Sequence, residues 1–159
     1  MKLSPELAAA CLKLAAAGAP RRPATMAATV RTAGPWAITI TAPIAVRSRA
    51  NLRLHWAESR RMNKIEATAV GAALARLGLT HAGRHLPRPL AVRLTRLHRG
   101  RDMDDDNLAG AHKAVRDALA NDWLGIDDGS PLVRWAYAQE RAAVPACRIE
   151  VTGIPIEEV

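Results

Sequence analysis

The chain has 159 residues, enough for one domain with a hydrophobic core and too few to argue for two. Its 23 Lys and Arg against 15 Asp and Glu give a formal net charge of +8, which points to polyanionic partners, and no apolar run approaches the ~18 residues of a membrane span. With no Phe and one Tyr, base stacking on aromatic platforms is a poor mode of nucleic-acid contact for this chain, and the two cysteines, Cys11 and Cys147, form neither a disulfide framework nor a zinc pattern.

Ser4-Pro5-Glu6 reads as a helix start, with Ser4 as N-cap, Pro5 in the first helical position and Glu6 at the positive end of the dipole. That helix is expected to run to about Ala17, where Gly18 to Pro23 breaks it. Residues 1–33 are therefore expected to be an N-terminal extension, a short helix and a Pro/Arg linker free to move, with the main domain at 34–159. Glu6 and Lys13 interrupt the apolar opening, so a secretory h-region is absent and a cytoplasmic location is expected. Trp-Ala-Ile-Thr-Ile-Thr from Trp36 alternates as a half-buried strand does and ends at Pro43. The basic, irregular stretch Ile44 to Leu54 follows, containing Arg47, Arg49, Asn51 and Arg53. An amphipathic helix is then expected from about His55 to Leu77, ending at Gly78. Its apolar face is read as Trp56, Met62, Ile65, Val70, Leu74 and Leu77, while Arg60, Arg61 and Lys64 make its first half positive. A basic loop at Gly83 to Pro89 leads to a second strand, Leu90 to Leu97. The next helix spans about Asp106 to Asn121, with Leu108, Ala111, Val115, Ala118 and Leu119 as its core stripe. After a turn at Gly125 to Pro131, two strands, Leu132 to Gln139 and Ala146 to Thr152, are expected to form a hairpin. This order predicts an α+β domain, a small mixed β-sheet with helices packed on one face.

The charge is unevenly spread. All eight Asp fall between Asp102 and Asp128, where Lys113 and Arg116 are the only bases, so this window carries −6 and the other residues, with 21 bases and seven Glu, carry +14. Asp102-Met-Asp104-Asp-Asp106-Asn107 places acids at alternate positions, which project to one side of an extended segment and can converge on a cation. A calcium hand is rejected, because counting from Asp102 puts Asn107 where the turn needs Gly and Lys113 where the bidentate Glu belongs. A purely structural reading stays open. In it Asp106 is an N-cap, Lys113 and Asp117 are a surface i, i+4 pair worth a few tenths of a kcal/mol, and Asp127-Asp128-Gly129 is a turn. Repetition of acids on both sides of one helix favours instead a carboxylate site for a hard cation such as magnesium or manganese. In a basic protein that cation would meet a phosphodiester.

Asp104-Asp105-Asp106-Asn107, then Lys113, Asp117-Ala-Leu and Asp127-Asp128 resemble the Asp-x-Asp-Asn, Lys, Asp, Asp-Asp series of the RusA-type Holliday junction resolvases. The resemblance covers roughly residues 36 to 152, with three more residues between Asn107 and Lys113 than the founding members have. It implies a RusA-like fold and a magnesium-dependent homodimer, with manganese as a substitute, that nicks four-way double-stranded DNA junctions in pairs. By position, Asp104, Asp106 and Asp128 match the family's metal-binding acids and Lys113 its catalytic lysine, with Asp105, Asp117 and Asp127 as further candidates. The metal would activate a water and polarise the phosphate, and Lys113 would offset transition-state charge. Arg47, Arg49, Asn51, Arg53, Arg60, Arg61 and Lys64 are expected to grip the DNA backbone.

Overall fold

A computed structural model describes residues 28–31, as backbone, together with 36–47 and 55–154. The expected helix from Ser4, Cys11, Arg49, Asn51 and Arg53 lie outside the described residues.

One mixed sheet organises the chain, in the order β1-β2-β5-β3-β4. Its strands are β1 (Ala28–Arg31), β2 (Ala37–Ala42), β3 (Leu90–His98), β4 (Val133–Arg141) and β5 (Ala146–Gly153). β1 falls within the stretch expected to be an extension, and it pairs antiparallel with β2 in register Ala28 to Ile40. Alternation then does what a period of two requires. Ile38, Ile40 and Ala42 of β2, Cys147, Ile149 and Val151 of β5, and Leu90, Val92 and Leu94 of β3 are all buried. Registers Ile40 to Ile149 and Leu94 to Ile149 put them on one face. The helices cover that face, so the expected α+β architecture with helices on one side of a small mixed sheet is the observed one.

The expected hairpin of the last two strands is not formed. Among the described residues β4 pairs only with β3, in parallel, and β5 inserts antiparallel between β2 and β3. Burial explains the choice: β5 carries three apolar residues with no exposure, whereas β4 carries Arg134, Ala136 and Glu140 exposed and suits an edge. Residues 142–145 must skip one strand, roughly 10 Å away, and four residues reach about 13 Å. A linker of that length serves either topology. It runs over the end of β3, where Ala142 N–H donates to His98 O at 2.9 Å.

Helix α1 (Trp56–Arg76) packs by Glu66, Val70, Ala73 and Leu74. This corrects the face read from sequence: Trp56 is 65% and Ile65 58% exposed. Carrying the Val70–Leu74 stripe back lands on the buried Glu66 and the half-buried Met62, and Ile65, one residue from Glu66, is turned about 100° off that face, with Arg60, Arg61 and Lys64 exposed. Between β3 and β4 lie α2 (Asp105–Ala111), a break at His112, α3 (Lys113–Asp117) and a π-helical stretch Ala118–Leu124. The expected stripe Leu108, Ala111, Val115, Ala118, Leu119 is buried throughout. The helical region runs past Asn121 because the wider π turn brings Trp123 and Leu124 inward as well. Trp123 Nε1–H donates to Leu79 O at 2.7 Å, which satisfies the one polar atom of a fully buried ring. Gly125, at φ 65°, ends the helix in the left-handed region.

Candidate active site

Strand β4 acts as a ruler for the acidic segments. Its alternate residues Trp135, Tyr137 and Gln139 lie on the helix-covered face, opposite Val92, Leu94 and Arg96 of β3. Each holds a different piece of the chain. The Gln139 side chain pairs with the Met103 backbone as a neighbouring strand would: Oε1 accepts from Met103 N–H at 2.9 Å and Nε2 donates to Met103 O at 2.7 Å. Arg96 Nη1 donates to the same Oε1 at 3.3 Å, and the Arg96 guanidinium also donates to Val46 O at 3.1 Å and Arg101 O at 3.2 Å. Two positions along, the Tyr137 hydroxyl accepts from Arg116 Nη1 at 3.2 Å, and its ring lies 5.6 Å from that of His112. Two further, Trp135 Nε1–H donates to the Asp128 backbone O at 3.0 Å.

The acids sit at two places along this ruler. Asp104, not Asp106, is the N-cap of α2: Asn107 N–H donates to its Oδ1 at 2.8 Å and Asn107 Nδ2 to its Oδ2 at 2.7 Å. These bonds, the backbone one first, hold the Asp104 carboxyl below the usual carboxylate range. Asp105 and Asp106 are exposed in the first helical turn, where the dipole favours them. Asp128 is reached by the fold-back after Gly125, and its Oδ2 accepts from Arg116 Nη2 at 2.6 Å. Burial works against the Arg116 charge, yet Tyr137 and Asp128 together hold it above its ordinary value. Asp127 Oδ1 accepts from Gly129 N–H at 2.8 Å, an Asx turn. Lys113 Nζ lies 3.1 Å from Asp117 Oδ2, an exposed i, i+4 pair. Asp102 Oδ1 lies 3.2 Å from Nε2 of the buried His98.

Asp104, Asp106 and Asp128 offer only carboxylate oxygens, the donor type for magnesium, but their positions do not form a closed ligand set. Among the described residues, no three His, Cys, Asp or Glu side chains are grouped to hold a metal. The ruler supplies the reason. Met103 is anchored at Gln139 and Asp128 at Trp135, positions roughly 13 Å apart along a strand, and the carboxylates at both ends are already bonded, to Asn107 and to Arg116.

Of the expected DNA contacts, Arg47 is exposed after β2, and Arg60, Arg61 and Lys64 are exposed on α1, with Arg60 over the Trp56 ring at 5.4 Å. Sequence reasoning missed His112, Arg116, Trp135, Tyr137 and Gln139. Their signal was the spacing of Trp135, Tyr137 and Gln139 at alternate strand positions, and Arg116 as the second base of the acidic window. His112 is buried, and burial lowers its pKa so that it stays neutral. Burial pushes the Cys147 thiol up to about 12, an inert thiol as expected. No helix among the described residues is long and apolar enough to cross a membrane. No protein-family model matches the chain, and no curated protein is significantly similar to it.

Proposed function

We propose that this protein is a magnesium-dependent, structure-selective DNA endonuclease of the RusA type, acting in the cytoplasm as a homodimer that resolves four-way junctions by paired phosphodiester hydrolysis. The observation that carries this reading is the single face of β4 that ties Met103, ahead of Asp104 to Asp106, and Asp128 to the same side of the sheet. A fold that only capped a helix and closed a turn would not need Gln139 and Trp135 to fasten both acidic segments. Exposed Asp106 and Asp105 face solvent, where a phosphodiester can reach them, and the basic residues of α1 supply a backbone grip that weakens with salt. Lys113 and Arg116 are the two cations inside the acidic window Asp102 to Asp128 and would offset phosphate charge. Magnesium, or manganese in its place, is proposed on the oxygen-only donor chemistry.

The test is a synthetic four-way junction incubated with the wild type and with Asp106→Asn, with and without magnesium, and product ends mapped. Symmetric nicks that need magnesium and vanish in the variant are expected, and an Asp106→Asn protein that cuts at the wild-type rate refutes the assignment. A second reading, a DNA-binding protein of the same fold that does not cleave, is favoured by the engagement of Asp128 with Arg116 and of Lys113 with Asp117. Tight junction binding without nicks in either metal would select it.

A further inference from the structure

An open cleft of about 570 Å³ lies between the 3₁₀ turn Ala82–His85 and the end of the π-helical stretch, lined by Arg84, Arg88, Asn121, Gly125 and Asp127 among others. We propose that it is a second phosphate site, in which Arg84 holds a backbone phosphate of the DNA strand within a few nucleotides of the phosphodiester to be cut. The inference rests on the endonuclease reading and extends it to a surface that adjoins the acidic segment at Asp127.

The walls are locked together at the base. Gly83 lies directly on Trp123, where an added Cβ would stand 2.6 Å from the ring. Trp123 is bonded to Leu79 O at 2.7 Å, and Arg88 Nη2 donates to Leu124 O at 2.6 Å. The cleft is thus built before any ligand arrives. Arg88 is committed to closing the helix end, whereas Arg84 is exposed and makes no hydrogen bond or ion pair among the described residues. The Arg84 stem lies over Gly125, whose absent Cβ would be 3.3 Å from Arg84 Nε. This packing restricts the side chain while leaving its planar fork of donors free, the form suited to bidentate phosphate binding. Asn121 adds a side-chain amide, and the lining acid Asp127 has Oδ1 turned to Gly129 N–H at 2.8 Å. Two guanidinium groups against one carboxylate leave the cleft positive. Asp127 lines it and Asp128 is the next residue, about 3.8 Å on along the backbone, so one DNA strand can pass from the acidic site into the cleft.

The test is fluorescence anisotropy of a labelled four-way junction in EDTA, across a potassium chloride series, with wild type, Arg84→Gln and Arg84→Lys. Loss of one phosphate contact per protomer, two per homodimer, is expected to lower the slope of log K against log salt by about 1.8 in Arg84→Gln, with affinity at low salt falling on the order of 10- to 100-fold. Arg84→Lys should keep the wild-type slope, which separates lost charge from lost fold. A neutral methylphosphonate placed at successive positions beside the nick should weaken wild-type binding at one position and have no effect there in Arg84→Gln. A wild type that binds and cuts, with an unchanged slope in Arg84→Gln, overturns the cleft and leaves the endonuclease reading standing. A wild type that binds no DNA overturns both.

Discussion

Replacing Gln139 with Leu keeps the volume of the side chain and removes every bond it makes to the loop that precedes α2. Three hydrogen bonds are lost: from Met103 N–H at 2.9 Å, to Met103 O at 2.7 Å and from Arg96 Nη1 at 3.3 Å. A net worth of roughly 0.5 to 1.5 kcal/mol applies to each of the two good ones. The longer bond to Arg96 adds little, because Arg96 keeps its bonds to Val46 and Arg101. The sum is about 2 kcal/mol of global stability, read as a lower urea midpoint with unchanged m-value, or a fall of about 4 to 8 °C in Tm for a chain of this size. The effect should be concentrated at the loop. Exchange of the Met103 amide hydrogen is expected to accelerate far more than that of β5 amides, which open only with the whole sheet. Junction cleavage should fall more than junction affinity, because the loop carrying Asp102 and Asp104 loses its anchor while the basic face of α1 is untouched. Met103 exchange that keeps pace with β5 would refute the ruler and with it the reason given for where the acids sit.

Gly83→Ala is expected to cost about 1 to 3 kcal/mol by overpacking, since the new Cβ meets both the Trp123 ring and, at 2.7 Å, the Trp123 backbone O, which no rotamer change relieves. An unaltered urea midpoint would show that the turn moves freely. His112 predicts a pH dependence. Burial lowers its folded-state pKa below the unfolded value of about 6.5, so the unfolded chain binds the extra proton. This contribution to stability is complete above about pH 6.5 and declines as pH falls, by at most ~1.4 kcal/mol per pH unit. Chemical denaturation between pH 7.5 and 5 should show that decline in the wild type and not in His112→Gln. A flat wild-type profile refutes the buried neutral imidazole. The Asp104 cap acts at lower pH: its depressed carboxyl stabilises the fold above the unfolded value of about 3.9 and fails as pH drops through the folded one.

Local pattern was enough for most elements. Alternation in β2, β3 and β5 and the stripe from Leu108 to Leu119 reflect contacts that every residue makes with its own immediate layer, so periodicity reports them directly. It misled in α1, where Trp56 and Ile65 are apolar but exposed while Glu66, next to Ile65, is buried, because hydrophobicity states a preference and only the packing of the helix decides which of its faces is covered. The pairing of the last strands was equally illegible, since a linker at 142–145 reaches an adjacent strand or the one after it.

The clustering of all eight Asp, and their spacing around one amphipathic helix, was visible in the chain as a charge of −6 set in a body of +14. Which of those carboxylates meet is a different matter. Hydrogen bonds between residues far apart in sequence, Gln139 to Met103, Trp135 to Asp128 and Arg116 to Asp128, set the two acidic groups at separate stations along β4. Charge composition is additive and can be read residue by residue. The convergence of side chains depends on register and crossover, which belong to the folded sheet alone.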